Sequence, residues 1–392
     1  MRVLVNAISA RRGGITTYTR NLIDTLATRN IEAIFAVPPN LHQERQKKTL
    51  SVRASEFGPV KRLLWEQTVW RSYVSRHNPD VLFSSANFGL FRSPVPQVLL
   101  LREGGLFDPF YLTNIAPSQG VRAASIRTMR RQLMIASARH ADQIVVPSES
   151  MRAAVLTWAP ELASKCHVNL YGTLNDIYRP DVAVRNWRAD GVLRLLFVSV
   201  YYPHKNPGLV CEAVQLLNER GIKAHATVTM NLEDVRQFQG GALDYHQMIR
   251  AVERGQVTIG DRSYSSLPSL YSEHDVFVFP SVSETFGHPM AEALSSSLNV
   301  VVADTPITRE ICGDAALYFR PFSSTQLCDR LLELDRDPEL RRQMSERSRE
   351  RALSLFNWSD HVDRLVALFA KIAAETSRSS RHGSAGAGAK PS

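Results

Sequence analysis

Cysteine is scarce in this sequence of 392 residues. The four cysteines are Cys166, Cys211, Cys312 and Cys328, and they include no C-x-x-C pair and no neighbouring group of histidines. This spacing excludes the common zinc motifs and a framework of disulfide bridges. We therefore expect four reduced thiols that are mostly buried.

Long apolar runs are missing as well. No stretch approaches the roughly 18 apolar residues that a membrane-spanning helix needs. The N-terminus, MRVLVNAISARRGG, becomes charged too soon for a secretory signal peptide, so the sequence predicts a cytoplasmic protein. Positive charge, in contrast, is in excess. The net charge of +9 favours nucleic acid, phosphorylated small molecules or an acidic membrane surface as partners, and it does not choose among them.

The G-x-G-x-x-G fingerprint of dinucleotide-binding enzymes is also absent, which argues against a nicotinamide-dependent oxidoreductase. Short β-branched runs nevertheless alternate with amphipathic helical runs over residues 2–147, and again from residue 193 onward. Such alternation predicts βαβ units and parallel sheets. The predicted fold class is therefore α/β, with two Rossmann-like, doubly wound domains.

Composition places the domain boundaries. The polar stretch 180–191 separates the two series of strands, so we assign residues 1–182 to an N-terminal domain and 183–358 to a C-terminal domain. A last amphipathic helix is predicted at 359–375. The tail, 376–392, is rich in Gly, Ser and Ala and is predicted to be disordered.

The segment VFVFPSVSETFGHPMAEALSSSL, residues 276–298, carries the strongest chemical signal. A buried strand ends in a polar loop that holds Glu284, and Pro289 suits the first turn of the following helix. The free N–H groups at a helix start can bind a diphosphate or sugar hydroxyls. Glu292 lies one turn inside and inclines back toward the loop. Two carboxylates thus flank one anion site, although a solvated loop and helix charge is the alternative interpretation. The residues at or just before the helix start are Phe286, Gly287 and His288.

Two further segments join a strand to a helix. Asn206 is predicted to cap a helix that begins at Pro207, which places Lys205 beside a second helix N-terminus. Gly13 and Gly14 follow the first strand and allow close approach of the backbone to a ligand. A surface lysine and a simple tight turn are the respective alternatives.

These residues resemble the E-x7-E signature of retaining glycosyltransferases of the family 4 type. Glu284 and Glu292 occupy the two glutamate positions, and residues 285–287 match the turn between them. The similarity is strong from about residue 193 to 369 and weaker before. It implies the GT-B architecture, in which two Rossmann-like domains face a central cleft and the C-terminal helix returns to the N-terminal domain.

The resemblance also implies roles for individual residues. Glu284 would contact the donor sugar, Glu292 the donor ribose and Lys205 the donor diphosphate, with Glu284 and Lys205 as the catalytic pair. Gly13, Gly14 and Arg102 would lie in the cleft near the phosphates and the acceptor; Arg102 aligns with a histidine of the family. The remaining donor-binding residues would be Thr285, Phe286, Gly287, His288, Asn206 and His204.

The sequence departs from the family at one position. Many members have an arginine five residues before the lysine, and this chain has Val200 there. The departure puts the full diphosphate clamp in doubt. His204 or a residue of the other domain is the candidate replacement.

The predicted reaction is transfer of a hexosyl group, with mannosyl as a candidate, from a nucleotide diphospho-sugar to a glycan or lipid-linked acceptor. Anomeric configuration would be retained, and the setting would be the synthesis of cell-envelope polysaccharide such as lipopolysaccharide. A hydrolase or phosphorylase of the same fold is the alternative. A nucleic-acid-binding protein would explain the charge but not the two glutamates, so no nucleic-acid partner is expected.

No cofactor and no metal are expected beyond the nucleotide-sugar co-substrate. The string Asp335-Arg336-Asp337 matches the D-x-D motif through which other glycosyltransferases bind a metal. Asp335, however, falls at the end of a predicted helix, and Asp337 precedes Pro338 as an N-cap.

Basic and aromatic residues are interleaved at 61–76, and a second basic stretch covers 122–139. Basic helices with aromatic residues can lie on an anionic membrane surface. The sequence therefore predicts a peripheral contact with the inner face of the plasma membrane. An ordinary surface helix with its aromatic residues in the core is the alternative.

Overall fold

The computed structural model describes residues 1–11, 14–42, 48–85, 87–180 and 186–385. Within them, strands form two parallel sheets, one from the first half of the chain and one from the second. Helices cover both sheets, as parallel sheets require. The predicted α/β class with two doubly wound sheets is confirmed.

The first sheet is seven-stranded, in the order β3-β2-β1-β4-β5-β6-β7. Its β-branched central strands are buried on both faces, which explains their continuous apolar character. The strands are β1 Arg2–Asn6, β2 Glu32–Val37, β3 Thr49–Ser51, β4 Val81–Ser84, β5 Gln97–Leu100, β6 Gln143–Val146 and β7 Cys166–Val168.

The second sheet is six-stranded, in the order β10-β9-β8-β11-β12-β13. Order reverses between β8 and β11, and ligands bind at such a switch point in doubly wound folds. The strands are β8 Leu193–Phe197, β9 Ala224–Val228, β10 Val257–Ile259, β11 Val276–Phe279, β12 Asn299–Ala303 and β13 Ala316–Phe319.

Helices follow most strands. Those of the first half are α1 Gly14–Ala27, α2 Pro59–Trp65, α3 Arg71–His77, α4 Pro109–Asn114, α5 Gly120–His140 and α6 Glu149–Trp158. Those of the second half are α7 Pro207–Glu219, α8 Leu232–Gln237, α9 Ala242–Glu253, α10 Leu267–Glu273, α11 His288–Ser295, α12 Pro306–Cys312, α13 Ser324–Arg336 and α14 Pro338–Leu355. The helix α15 Trp358–Ala385 ends the described chain. Between α2 and α3 the segment Glu66–Trp70 is π-helical.

The last helix packs on the first half of the molecule. Trp358 Nε1 donates to Thr25 Oγ1 at 2.8 Å, and the Tyr18 hydroxyl lies 3.2 Å from His361 Nε2. The connection between the halves passes beneath this helix so closely that a Cβ on Gly172 would lie 2.2 Å from the Trp358 nitrogen. Glycine is therefore required at position 172.

Helix α15 continues to Ala385, beyond the predicted end at residue 375. The interpretation of residues 376–385 as disordered is therefore corrected, while 386–392 lie outside the described residues. Once a helix is nucleated by a packed segment, each added residue gains one hydrogen bond. The polar composition of this stretch does not prevent that extension.

All four cysteines are buried and free, as predicted. Over the described ranges, the helices are all too short or too polar to cross a membrane.

Candidate active site

A cleft of about 1230 Å³ lies between the two halves. It is lined by α1 and the loop after β5 on one side, and by the loops after β8 and β11 on the other. These loops follow the carboxyl ends of parallel strands, where ligands gather in such folds. The cleft brings together most of the residues that the sequence singled out.

The loop after β11 leads into α11 through a glycine in the left-handed conformation. Gly287 has φ 81° and ψ 65° and precedes the helix. A Cβ there would meet Met290 Cε at 2.4 Å, so only glycine fits the turn. His288 and Pro289 then form the first turn of α11, and both residues line the cleft.

Glu284 lies in this loop with 11% of its side chain exposed, and it is bound from two sides. It pairs with the Lys205 ammonium and accepts a hydrogen bond from Ser281 Oγ at 2.6 Å. Burial alone would raise the pKa of Glu284, but the Lys205 charge and these hydrogen bonds hold that pKa below its usual value. The carboxylate is therefore ionised at neutral pH.

Glu292 lies inside α11 with 7% of its surface exposed. Its Oε2 accepts a hydrogen bond from the Tyr271 hydroxyl at 2.9 Å. Burial raises the pKa of Glu292 to about 7, because no cation compensates its charge as Lys205 compensates that of Glu284. Two carboxyl groups on one cleft wall thus differ in charge near neutral pH.

Lys205 precedes α7 and is itself buried, with 9% exposure. Asn206 occupies the N-cap position, but in the left-handed conformation, with φ 50° and ψ 52°, and its side chain does not cap the helix. The predicted side-chain cap is therefore wrong. An asparagine tolerates this conformation, and its Nδ2 remains buried without a hydrogen-bond partner among the described residues.

His204 does not supply the charge that the arginine position at Val200 lacks. Burial and the Lys205 ammonium lower the pKa of His204 to about 3, so its ring is neutral. Val200 itself is 54% exposed on the cleft wall. Arg102 of the other half lines the same cleft, together with five further arginines of that half.

Arg102 follows β5 and lies over two buried aromatic rings. Its Cζ is 5.4 Å from the centroid of Tyr18 and 5.7 Å from that of Tyr171. Its Nη1 is buried without a hydrogen-bond partner among the described residues. Such a group is ready for an anionic ligand, because a buried donor left unsatisfied is costly.

Gly14 begins α1 and lies against the donor-side wall. A Cβ at this position would be 3.7 Å from His288 Cδ2 and 3.9 Å from Arg102 Nη2. Gly13, the other residue of the predicted phosphate loop, lies outside the described residues.

The His288 ring stacks on Tyr171, with centroids 5.0 Å apart and an interplanar angle of 4°. Burial and the Arg102 charge lower the pKa of His288 to about 3. Its Nε2 is buried without a partner among the described residues, so a neutral ring offers one hydrogen-bonding nitrogen to the cleft.

Thr285 and Phe286 line the cleft, and each also has a structural partner. The Phe286 ring is buried against Tyr171 and Phe356 and belongs to the core. The Thr285 carbonyl accepts a hydrogen bond from Ser148 Oγ of the first half at 2.7 Å. The position of these two residues in a motif does not reveal these additional contacts.

Glu310, at the end of α12, holds the start of α6 across the cleft. Its carboxylate accepts from the backbone N–H groups of Glu149 and Ser150, at 2.7 and 2.8 Å, and from Ser150 Oγ at 2.6 Å. A carboxylate at a helix N-terminus is favoured by the helix dipole. This contact joins the two halves of the molecule.

Sequence reasoning missed Ser281, Tyr171 and His361. Ser281 lies three residues before Glu284, a spacing that suits a local hydrogen bond, but such serines are common in loops. Tyr171 and His361 carry no motif, because their importance comes from packing between segments 190 residues apart. Tyr271, which binds Glu292, stands in the segment LPSLY of α10, before β11.

The D-x-D string has the predicted structural role at Asp337. Its side chain accepts from the Leu340 N–H at 2.9 Å and caps α14. Asp335 pairs with Arg188 at 2.9 Å and accepts from Trp187 Nε1 at 2.8 Å. Within the described part of the chain, no three His, Cys, Asp or Glu side chains group so that they could hold a metal ion.

Comparison with known proteins agrees with this arrangement. The profile described as Glycosyl transferases group 1 matches residues 185–351, and that described as Glycosyltransferase Family 4 matches residues 12–168. Together the two profiles cover most of the chain.

Two curated relatives are mannosyltransferases. The O-antigen chain mannosyltransferase RfbU of Salmonella typhimurium is 37% identical over 82 residues, which are 20% of this chain and 23% of RfbU. The serotype-specific mannosyltransferase WbdA of Escherichia coli is 22% identical over 333 residues, which are 78% of this chain and 38% of WbdA. The chain thus spans less than half of the length of either relative.

A solved structure, that of HepE from Anabaena in complex with UDP and glucose, superposes with a TM-score of 0.71 at 14% identity. The match covers 95% of this chain and all of HepE. This likeness confirms the two-domain GT-B fold.

Proposed function

Because the chain belongs to the glycosyltransferases of the family 4 type, we propose that it transfers a hexosyl group from a nucleotide diphospho-sugar to a glycan or lipid-linked acceptor, with retention of anomeric configuration. The observation that carries the proposal is the pairing of Lys205 with Glu284 in the cleft, beside the start of α11. A cation next to a helix start suits a diphosphate.

In the proposed reaction, the nucleoside diphosphate departs as negative charge develops on its oxygens. Lys205, the N–H groups at the start of α11, and Arg102 from the opposite wall would stabilise that charge. Arg102 would take the place of the family arginine that Val200 lacks. Glu284 would orient Lys205 and contact the donor sugar.

Glu292 would bind the donor ribose. Its carboxyl group is fixed by Tyr271 and accepts hydrogen bonds from hydroxyl groups in either protonation state. The neutral His288 ring and its unpartnered nitrogen would contact a sugar hydroxyl. Neutral groups suit this role, since a sugar carries no charge to be matched.

Mannosyl is the proposed group, because the relatives that the chain matches are named as mannosyltransferases. Their names also place them in O-antigen synthesis, which supports a cell-envelope polysaccharide as the product. A nucleotide-sugar donor is supported by the UDP and glucose bound in HepE.

Peripheral contact with an anionic membrane is part of the proposal. Helix α2 exposes Val60 and Leu64, which are 71% and 62% exposed, beside the charged Lys61. Helix α5 exposes Val121, Ile126 and Met129 among arginines. Both helices belong to the half that would bind the acceptor, so a lipid-linked acceptor would reach the cleft from the membrane.

A thermal-shift screen with UDP-, GDP- and ADP-sugars tests the donor. A ligand at 100 times its Kd stabilises the folded state by about 2.7 kcal/mol. One nucleotide-sugar should raise the melting temperature above its competitors, and a protein indifferent to all three would contradict the proposal. Rapid donor consumption in water or phosphate, without any acceptor, would instead favour the hydrolase or phosphorylase alternative.

A further inference from the structure

A small polar recess opens off the first-half wall of the cleft. It is lined by Asn6, Ser9, Arg62, Glu66 and Phe88, and we call it the Glu66 recess. Its volume of about 10 Å³ is close to the space that one water molecule or one hydroxyl group occupies. Three of its residues also line the main cleft, so a group bound in the cleft can reach into it.

Glu66 is an unusual residue for the first half of the molecule. Its side chain is 10% exposed, and its nearest cation, the Arg62 guanidinium, is 3.8 Å away, beyond hydrogen-bond distance. Burial raises the pKa of Glu66 to about 7, although Arg62 and the Asn6 side chain oppose the rise. A buried carboxyl group held this weakly destabilises the fold, so packing alone does not explain it.

The backbone that presents Glu66 is also unusual. Glu66 begins the π-helical segment, and π-helical turns within α-helices are frequent at functional sites. The next residue fixes the recess from outside, since Gln67 donates to the Gly89 carbonyl at 3.1 Å and accepts from the Phe91 N–H at 2.9 Å. The recess is thus preformed.

A second polar group of the recess lacks a partner. Ser9 Oγ is buried and makes no hydrogen bond among the described residues. Asn6 ends β1, at the edge of the sheet where ligands of doubly wound folds bind. Carboxylate, amide, hydroxyl and guanidinium groups therefore converge on a space for one hydroxyl, with the Phe88 ring beside it.

We propose that the Glu66 recess binds one hydroxyl group of the acceptor saccharide and thereby selects the acceptor sugar. The inference rests on the proposed glycosyl transfer. The sugar hydroxyl donates to the Glu66 carboxylate and accepts from Asn6 or Arg62. Phe88 contacts the C–H face of the ring. A sugar that lacks this hydroxyl leaves the recess unfilled, and a site built around a hydroxyl rejects such analogues strongly.

The test measures binding rather than turnover. Saturation-transfer NMR on the full chain uses the methyl α-glycosides of mannose, glucose, galactose and rhamnose as probes. At least one glycoside should bind, and Glu66→Gln, which keeps the side-chain shape, should weaken that binding at least tenfold. Ser9→Ala should weaken it several-fold. Glu56→Gln removes an exposed carboxylate outside the cleft and should change nothing.

Two results would overturn the inference: equal binding by Glu66→Gln and the unaltered protein, or binding of none of the four glycosides. A parallel titration with UDP, GDP and ADP separates this inference from the proposed function. Nucleotide binding that survives Glu66→Gln, together with glycoside binding that does not depend on Glu66, contradicts the recess alone. Failure to bind any of the three nucleotides contradicts the proposed function.

Discussion

The two walls of the cleft differ in how their charges are arranged. Among the described residues that line the cleft, the second half contributes one lysine, one arginine and three carboxylates. The first half contributes a single glutamate against the six arginines Arg11, Arg20, Arg62, Arg102, Arg127 and Arg130. On the second wall Lys205 and Glu284 are paired and buried, whereas on the first wall Arg130 pairs with Glu103 at 2.6 Å with half of its side chain exposed.

This difference teaches that the walls suit different ligands. Buried and mutually bound groups are held in one geometry, as is required where bonds break. Exposed arginines adapt to anionic ligands of several shapes, as is useful for a growing or lipid-linked acceptor. The predictions below act on this contrast.

The largest expected effect is on the stability of the protein, through Glu292 in the second-half wall, which we call the rigid wall. The pKa of Glu292 is about 7 in the folded protein and 4.5 in an unfolded chain, so the folded state loses stability as pH rises between these values. Glu292→Gln should therefore stabilise the protein at pH 8, by up to roughly 3 kcal/mol from 1.36 kcal/mol per pKa unit, and hardly at all at pH 4. Urea unfolding at both pH values measures this. An equal gain at both, or a like gain for the exposed Glu273→Gln, would contradict the assignment.

The next prediction concerns the ion pair between Lys205 and Glu284. Lys205→Ala should weaken the affinity for the nucleoside diphosphate roughly a hundredfold, about 2.7 kcal/mol, because a charged hydrogen bond is lost and Glu284 is left buried without its cation. Lys205→Arg should restore only part of the affinity, because arginine keeps the positive charge but its planar guanidinium has a different shape. Isothermal titration gives the affinities. An unchanged affinity in Lys205→Ala would place the diphosphate elsewhere.

The two glutamates of the rigid wall give a smaller effect. Glu284→Gln and Glu292→Gln should each lower the rate of transfer at least roughly tenfold, which corresponds to about 1.4 kcal/mol of barrier. Both substitutions keep the side-chain size, so circular dichroism should show an intact fold. Full activity in both variants would remove these residues from the site.

The first-half wall, which we call the adaptable wall, belongs to the half that carries the basic stretch 61–76, and membrane binding tests the role of that stretch. Anionic liposomes should bind the protein weakly and in a salt-sensitive manner, with each basic residue of 61–76 contributing up to about 1 kcal/mol. Co-sedimentation of the unaltered protein and of Lys61→Gln, at low and high salt, measures the difference. Equal binding to neutral and anionic liposomes would contradict the proposed membrane role of the positive charge.

Removal of divalent metal ions is expected to have no effect on the rate of transfer. Transfer in excess EDTA should proceed at the unaltered rate, because Lys205, Arg102 and the start of α11 would already offer positive charge to the proposed diphosphate. Asp337→Asn should keep the cap of α14 and the activity. Loss of transfer on chelation, with recovery on addition of manganese, would show that this view of the leaving group is wrong.

Much of the fold could be predicted from the sequence, because burial on both faces makes parallel strands read as short apolar runs. The cluster of Lys205, Glu284 and Glu292 could be expected too, since all three follow strands that end at one edge of a sheet. The orientation of individual loop residues could not be predicted. Phe286 and Thr285 share a motif with Glu284, yet one packs in the core and the other binds the first half through its carbonyl.

Contacts between distant segments were beyond prediction. The stack of Tyr171 on His288 and the contact of Tyr18 with His361 depend on how the halves and the last helix meet. The left-handed conformation of Asn206 and the π-helical start at Glu66 are further cases. Local sequence preferences do not distinguish these conformations from an ordinary cap or an ordinary helix.

The contact of Glu310 with the start of α6 has a consequence for movement. On the Gly172 side, the backbone packs so tightly against Asn357 and Trp358 that a Cβ on Gly172 would lie 2.2 Å from the Trp358 nitrogen. A buried hydrogen bond joins the halves at the same place, since Thr173 Oγ1 lies 2.8 Å from Ser295 Oγ. At Glu310 the halves meet through partly exposed hydrogen bonds, joined by that of Ser148. Water can replace exposed hydrogen bonds at little net free energy, so we expect any movement of the two halves to separate the contact at Glu310 before the contact at Gly172.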